Sequence, residues 1–379
     1  MNAQPGTVMI YPLVMSDRIH LLWASAGGVL SSATCLMGET QLNKTISAFR
    51  VALRLPGDPS TVQKLGKELY DCLIRPIETK GQWQANQVRH LVIAPDLAIN
   101  YIPLAALFDG KQYLIQKYAV SNVLNAGLTD VSDRLPPNPN VLGLGISEAI
   151  ENFSPLPYVE TEIKAIVKPN QHSPQGIYPG LVFLNQAFTR STLESNLKGH
   201  NIVHIATHGE FDSTNPNDSF LLVSSGKKGK GERYAISQIK FLEDLRGVHL
   251  VILSACETAL GELAASGLEI QGISSYLVQD KAKAVIASLW KVDDASTSYL
   301  MQQFYKNLAH STSQTPMTKT EALRQAQLSL LQGGISTEGS RGLGVVATST
   351  SDRKAPLKTP GEFTHPYYWA PFILIGNGL

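Results

Sequence analysis

His208 and Cys256 are the two residues of this sequence whose types and positions could form a catalytic pair. His208, followed by Gly209, comes just after the apolar run at 201–206, and Cys256 comes just after the run at 248–253. If both runs are parallel strands of an open α/β sheet, these side chains lie at its carboxyl edge, where such sheets bind ligands. A thiol and an imidazole at this edge could cleave an acyl bond. Cys256 would attack the scissile carbonyl, and His208 would activate the thiol or protonate the leaving amine.

The oxyanion that such an attack creates also needs hydrogen-bond donors. The backbone N–H groups of Gly209 and Cys256 are the predicted donors, and a glycine after the histidine lets the substrate backbone come close. The histidine precedes the cysteine by 48 positions (256 minus 208), which matches the order and spacing of caspases. Taken singly, a cysteine or a histidine in an aliphatic run is often a core residue, and we interpret His204 and His249 in that way. The joint occurrence at two strand ends favours catalysis for His208 and Cys256.

The apolar runs that would position this pair alternate with stretches of helical spacing. This alternation predicts an α/β fold, with a mainly parallel sheet and helices on both faces. The predicted strands are 141–146, 201–206, 248–253 and 282–288, and the predicted helices are 158–168, 189–198, 266–279 and 294–309. A capping-box pattern at 318–321 predicts a further helix, and the tail at 367–375 has strand character.

The sequence before residue 136 predicts a smaller α/β region. The expected elements are a hairpin from 9–14 and 18–24, a helix over 60–78, a strand at 90–94 and a strand region over 113–123. Proline and polar residues at 132–140 are typical of a linker, so we place a boundary between regions 1–135 and 136–379. Few large apolar residues occur near 335–362, which predicts a mobile insertion. A self-processing site among its basic residues is one hypothesis, and an ordinary solvated loop is the other.

Composition and charge exclude several classes of function. The 32 Lys and Arg residues balance 31 Asp and Glu residues, giving a net charge of +1, so direct binding of nucleic acid through a strong basic field is not expected. No apolar run reaches the length of a membrane span, and the start lacks a secretory signal pattern. Three cysteines are too few and too scattered for a disulfide framework, and none forms a C-x-x-C zinc pair. We therefore expect reduced thiols, a cytoplasmic location, no membrane partner and no metal or other cofactor.

Two blocks around the candidate pair closely resemble the signature blocks of the CHAT family, caspase-like proteases that are often attached to tetratricopeptide repeats in bacteria. The blocks are His204–Phe211 and Leu250–Gly261, and the similarity continues through Glu269–Gly272, Ala284–Asp294 and, more weakly, Leu91–Asp96 and Ile102–Ala106. The resemblance implies the caspase-hemoglobinase fold and the activity of a cysteine-type endopeptidase, a thiol protease, with His208 and Cys256 as its dyad. One interpretation of region 1–135 is then a degenerate caspase-like subdomain.

The resemblance also implies the partners. They are a protein or peptide substrate and a regulatory protein or a tetratricopeptide-repeat region. No such repeat helices precede Met1, so either the repeats belong to a longer parent protein or this member works without them.

The stretch Leu289–Asp294 also resembles the separase segment whose late aspartate binds the basic residue before the cut. The match implies that Asp294, helped by Asp293, lies at the base of the first specificity pocket, with Trp290 as a pocket wall. Cleavage would then follow Arg or Lys, because a carboxylate there forms charge-assisted hydrogen bonds to the basic side chain. As alternatives, Asp293 or Asp294 caps the helix at 294–309, and Trp290 is a core residue.

A rival function comes from a different class of protein. The chain could be a catalytically silent CHAT-like scaffold that binds protein partners. The presence of His208, Gly209 and Cys256 together weighs against it, because a silent module has no chemical need for all three.

Overall fold

The computed structural model describes most of the chain. The described residues are 6–25, 28, 30–81, 83, 87–124, 134–170, 172–210, 219–239, 243–254, 277–278, 282–311, 317–333 and 360–379. Cys256, most of the helix predicted at 266–279, and residues 335–359 of the predicted insertion lie outside these ranges.

Fifteen strands occur in the described residues. In chain order they are β1 (Thr7–Val14), β2 (Ile19–Ser25), β3 (Leu30–Cys35), β4 (His90–Ile93), β5 (Ala119–Asn122), β6 (Val141–Gly145), β7 (Val167–Lys168), β8 (Tyr178–Leu184), β9 (Ile202–Ala206), β10 (Gly209–Glu210), β11 (Phe220–Ser224), β12 (Gly231–Ala235), β13 (Leu250–Ser254), β14 (Ala284–Ser288) and β15 (Phe372–Gly376). Twelve strands form one sheet in the order β3-β2-β1-β4-β5-β15-β14-β13-β9-β6-β8-β7, and β10, β11 and β12 form a separate 3-stranded sheet.

The helices cover both faces of the large sheet. In the described ranges they are α1 (Glu39–Leu53), α2 (Ser60–Leu73), α3 (Arg75–Gly81), α4 (Leu114–Lys117), α5 (Val159–Ile166), α6 (Arg190–Asn196), α7 (Ile236–Ile239), α8 (Asp294–Ala309), α9 (Lys319–Leu331) and α10 (Pro366–Trp369). None of these helices is both long enough and apolar enough to cross a membrane.

Strands β7, β8, β6, β9, β13 and β14 run parallel to their neighbours, and β15 runs antiparallel to β14. Alternate residues of β13 enter two different apolar clusters. Leu250 and Ile252 pack with α5, α8 and α9 on one face, whereas Val251 and Leu253 pack with α6 and the small sheet on the other. Burial on both faces explains the almost continuous apolar runs in the sequence. The predicted α/β class, with a mainly parallel sheet covered on both faces, is confirmed.

The strands of the first 135 residues extend the same large sheet. The predicted hairpin is confirmed as β1 and β2, and β5 joins β15 in parallel at Asn122 and Ile375. The strand predicted over 113–123 begins only at Ala119, because the side chain of Gln116 accepts the N–H of Tyr113 at 2.8 Å and closes the short helix α4 first. The division into two domains stays a prediction.

Cys35 and Cys72 form a disulfide bond, with their Cα atoms 5.3 Å apart. The expectation of reduced, unpaired cysteines is therefore wrong for these two. The bond joins the edge strand β3 to the end of α2. The next helix, α3, packs against β3. Because 37 residues separate the two cysteines, only this tertiary packing brings them together, and their spacing in the sequence gives no sign of it.

Helix α5 packs closely on β6 because β6 carries glycine where the helix approaches. A Cβ atom at Gly145 would lie 2.6 Å from Cγ1 of Val159, and one at Gly143 would lie 3.0 Å from Cγ2 of Ile163. Any side chain at these positions would therefore push α5 away from the sheet.

We expect Gly145→Ala to lower the free energy of unfolding by about 1–3 kcal/mol, because the added methyl overpacks the contact with Val159. Denaturant unfolding of the variant measures this loss. Gly57→Ala is the matched control, since Gly57 is exposed and a Cβ there meets nothing within 4 Å. Equal unfolding midpoints for the two variants would contradict the close approach of α5.

Candidate active site

The main chain around His208 is fixed by the small sheet that follows β9. The Thr207 hydroxyl donates to the Leu222 carbonyl at 2.7 Å, and the Leu222 N–H donates to the His208 carbonyl at 2.8 Å. His208 is 4% exposed. The histidine therefore lies at the carboxyl end of β9, as the sequence predicts, and its backbone has little freedom to move.

The imidazole of His208 is oriented by a backbone carbonyl. Its Nε2 atom lies 2.8 Å from the carbonyl oxygen of Ser154. A carbonyl oxygen can only accept, so Nε2 carries the hydrogen, and in the neutral ring the basic lone pair is on Nδ1. The ring of Phe153 packs beside the imidazole, with centroids 5.0 Å apart, and meets Phe220 edge-on at 6.5 Å. These contacts fix both the tautomer and the ring orientation.

Ser154 belongs to the loop at 147–158, which is anchored at both ends. The Asn185 side-chain oxygen accepts the N–H of Ser147 at 2.8 Å, and Asp294 Oδ2 accepts the N–H of Tyr158 at 2.9 Å. The role of this loop was not predicted from the sequence. A carbonyl acceptor is common to every residue type, so no signal in the sequence marks Ser154.

The strands before His208 and Cys256 are direct neighbours. β9 pairs in parallel with β13, and their last register partners are Ala206 and Ser254. His208 follows Ala206 by two residues, and Cys256 follows Ser254 by two. Cys256 itself lies outside the described residues, so its pairing with His208 stays a prediction.

The orientation of Gly209 bears on its predicted role at the oxyanion. His208 faces Leu222 as a hydrogen-bonded pair, and Gly209 faces Leu221 as the next pair of β10 with β11. Hydrogen-bonded and non-hydrogen-bonded pairs alternate in an antiparallel ladder, so the N–H of Gly209 points away from β11. The pairing of β10 with β11 therefore does not use this N–H. The oxyanion role of Gly209 and Cys256 stays a prediction.

Asp293 and Asp294 lie at the start of α8 and have different contacts. Asp293 Oδ1 accepts the N–H of Ser296 at 2.9 Å, which is the capping contact considered as an alternative. Asp294 is half-buried, and this burial is the main reason that its pKa is raised to about 7. The hydrogen bond from the Tyr158 N–H lowers the pKa, and the nearby charges of Glu162 and Asp293 raise it further. Asp294 is therefore a carboxyl group poised to ionise near neutral pH.

Trp290 is part of the main apolar core. It is 3% exposed, and its Nε1–H donates to the Tyr367 carbonyl at 3.2 Å. Its predicted role as a pocket wall is not tested by these contacts.

The order and direction of the strands define the fold of this chain, which is that of known caspase-like structures. Two crystal structures of separase from Saccharomyces cerevisiae in complex with securin are similar to this chain, at TM-scores of 0.55 and 0.56 and 10% sequence identity. The alignments cover 99% and 98% of this chain, which spans only 30% of the separase chain. The Arg-specific cysteine proteinase gingipain R from Porphyromonas gingivalis aligns at 9% identity over 90% of this chain and 74% of its own, with a TM-score of 0.43.

The CHAT domain family matches residues 63–377, and the chain belongs to this family. The family resemblance is thus confirmed over most of the sequence, on both sides of the predicted domain boundary. No curated protein is similar enough in sequence to match the chain.

The raised pKa of Asp294 predicts a stability effect whose sign depends on pH. The folded protein binds this proton more tightly than the unfolded chain, so stability is lost as pH rises from about 4 through about 7. Asp294→Asn removes that loss and keeps an oxygen for the N–H of Tyr158. From pH 5 to pH 8, we expect the free energy of unfolding of the variant to rise by about 2 kcal/mol relative to that of the wild type. This value is smaller than the full pKa shift would give, because Asp294 is partly exposed and solvent screens its charge.

Denaturant unfolding at both pH values measures this difference. The control is Asp109→Asn. Despite partial burial, hydrogen bonds from Gln112 and Lys111 and the charge of Lys117 lower the pKa of Asp109, so its carboxylate is ionised at both pH values. The effect of the control should not change with pH. A pH-independent effect of Asp294→Asn would contradict the raised pKa.

Proposed function

We propose that this chain is a cysteine endopeptidase that hydrolyses peptide bonds with a His208–Cys256 dyad. The observation that carries the proposal is the fixed imidazole of His208, whose Nε2–H is held by the Ser154 carbonyl at 2.8 Å. The basic Nδ1 is then the atom that accepts a thiol proton. The register of β9 with β13, and the equal distance of two residues from each strand end to His208 and Cys256, support the pairing.

The proposed reaction uses protein groups and water. Nδ1 of His208 takes the Cys256 proton, and the thiolate attacks the scissile carbonyl. The N–H groups of Gly209 and Cys256 hold the oxyanion. The imidazolium then gives its proton to the leaving amine, and water activated by the same imidazole hydrolyses the acyl-enzyme. No metal or organic cofactor takes part in this scheme.

Cleavage after Arg or Lys is the proposed specificity, with Asp294 as the group that binds the basic side chain. A half-buried carboxylate with a raised pKa gains most from a cation, because the ion pair offsets the loss of solvation. Arginine would bind best, since its planar donors match a carboxylate. Asp293 would contribute its charge while it caps α8, and Trp290 would form the inner wall of the pocket.

A protein partner is proposed to regulate the site, either as a separate regulatory chain or as a tetratricopeptide-repeat region. The separase structures similar to this chain contain securin, which supports a protein partner for this fold. We also propose that the protein acts in the cytoplasm. The Cys35–Cys72 disulfide must then either persist in a reducing compartment or be reduced there.

Peptides with Arg, Lys, Asp or Asn before a fluorogenic group test the proposed activity. We expect cleavage after Arg or Lys, with loss of at least a thousandfold in kcat for Cys256→Ala and His208→Ala, because each variant removes one half of the dyad. Both variants should unfold with the same cooperativity as the wild type. Cleavage that survives in Cys256→Ala would refute the dyad. No cleavage, together with a Cys256 that resists alkylation, would favour the silent scaffold.

Asp294→Asn tests the specificity separately. We expect kcat/KM for arginyl peptides to fall by about a hundredfold, since the buried guanidinium loses its counter-charge. The wild-type value should also rise as pH passes through about 7, where Asp294 ionises, and the variant should lack this rise. An unchanged rate of Cys256 alkylation shows that the dyad is intact. Equal cleavage of arginyl peptides by both proteins would exclude Asp294 from the pocket.

A further inference from the structure

Four polar side chains meet in the core beneath the candidate site. Glu162, His204, Ser254 and Tyr305 are each at most 1% exposed. Glu162 Oε1 lies 2.7 Å from Nε2 of His204 and 2.7 Å from Oγ of Ser254, and the Tyr305 hydroxyl lies 3.1 Å from Nδ1 of His204. We call these four residues the buried cluster. The proposed reaction uses none of them.

The donors and acceptors of the buried cluster form one consistent chain. Burial raises the pKa of Tyr305 well above its ordinary value, so its hydroxyl keeps its proton and can donate to Nδ1 of His204. Nε2–H of His204 and Oγ–H of Ser254 then both donate to Glu162 Oε1. Every member therefore depends on Glu162 or on His204 for its hydrogen bond.

Two members of the buried cluster lie on the strands that precede the dyad. His204 is in β9, four residues before His208, and Ser254 is the last residue of β13, two residues before Cys256. Glu162 bonds to both of them, so one carboxylate ties the two neighbouring strands to each other near their carboxyl ends.

The other two members lie on the helices that position the rest of the site. Glu162 is in α5, four residues after Tyr158, where the loop holding Ser154 ends. Tyr305 is in α8, which begins at Asp294. The buried cluster thus contacts each of the four elements from which a candidate site residue extends.

Stability alone gives no reason for this arrangement. Neighbouring residues of the same strand face are apolar, such as Ile202 in β9 and Ile252 in β13. Buried charged groups generally stabilise no better than well-packed apolar residues, whereas they do fix one arrangement, because any shift leaves a buried group without its partner.

We propose that Glu162, His204 and Ser254 are positioning residues, which hold the ends of β9 and β13 so that His208 and Cys256 meet in reactive geometry. This inference rests on the proposed peptidase function and adds three residues to its site.

Ser254→Ala is the first test, because it removes one hydrogen bond and leaves the pair of Glu162 and His204 in place. Ser288→Ala is the matched control. Ser288 is also a buried serine at the last position of a neighbouring strand, β14, and its hydroxyl has no hydrogen-bond partner among the described residues. The readouts are Tm, kcat and KM for an arginyl peptide, and the rate of Cys256 alkylation by iodoacetamide against pH.

Alkylation reports the dyad without any need for proteolysis. Cys35 and Cys72 are joined in a disulfide, so Cys256 is the third cysteine of the chain and the thiol to be labelled in non-reducing buffer. A histidine held beside a thiol favours the thiolate at neutral pH, and the rate of alkylation follows the thiolate fraction. A displaced imidazole therefore slows alkylation at pH 7.

We expect Ser254→Ala to lower kcat and the alkylation rate at pH 7 by about tenfold or more, with KM within about twofold. Its Tm should fall by about 2–4 °C. Ser288→Ala should keep the wild-type kcat and alkylation profile. Glu162→Gln should lower kcat and the alkylation rate more than Ser254→Ala does. Glu78→Gln is a second control, because Glu78 belongs to a similar hydrogen-bond network in the first region, with Tyr70, Lys117 and Tyr118. It should change neither kcat nor the alkylation rate.

The outcomes separate this inference from the peptidase proposal. If Cys256 is alkylated at the same rate in Ser254→Ala as in Ser288→Ala, the positioning role is overturned, whether or not the wild type cuts peptides. If no peptide is cut but alkylation slows in Ser254→Ala alone, the peptidase proposal fails and the positioning of Cys256 stands. Should Glu162→Gln fail to fold, Tyr305→Phe provides the second variant, since it deletes a hydroxyl and keeps the packing of the ring.

Discussion

The parallel pairing of β9 with β13 is the constraint on which the rest of the structure depends. Both strands are buried on both faces, so their register is fixed by apolar packing above and below the sheet. Their last paired residues, Ala206 and Ser254, lie at the same edge of the sheet. In the sequence, the candidate base and the candidate nucleophile each follow one of these residues by two positions. A slip by one residue would turn His204 away from Glu162 and onto the other face of the sheet.

The close packing of α5 is the second requirement. Glycines 143 and 145 let the helix lie near β6, and only at that short range can Glu162 reach His204 and Ser254. The loop before α5 then carries the Ser154 carbonyl to His208. One helix thus connects the interior of the sheet to the orientation of the imidazole at its edge.

Much of this fold is visible in the sequence, because apolar runs and helical spacing follow directly from burial. The strands at 201–206 and 248–253 and the helix at 294–309 agree closely with β9, β13 and α8. Contacts between residues distant in the chain could not be predicted. A glutamate in a helix, such as Glu162, normally indicates a solvated face, yet this one is 1% exposed. The Cys35–Cys72 bond and the carbonyl acceptor at Ser154 likewise follow from tertiary packing.

Asp294 and Glu162 are linked electrostatically, which connects the proposed specificity to the buried cluster. Burial is the main reason for the raised pKa of Asp294, and the carboxyl groups of Glu162 and Asp293 add to it. An ionised Asp294 without a cation therefore lies in an unfavourable field of like charge. A substrate guanidinium would neutralise that field, whereas a neutral side chain would leave the carboxyl groups uncompensated. Under the proposed function, the burial of Asp294 and the repulsion among these carboxyl groups add to the attraction of the substrate in selecting a basic residue.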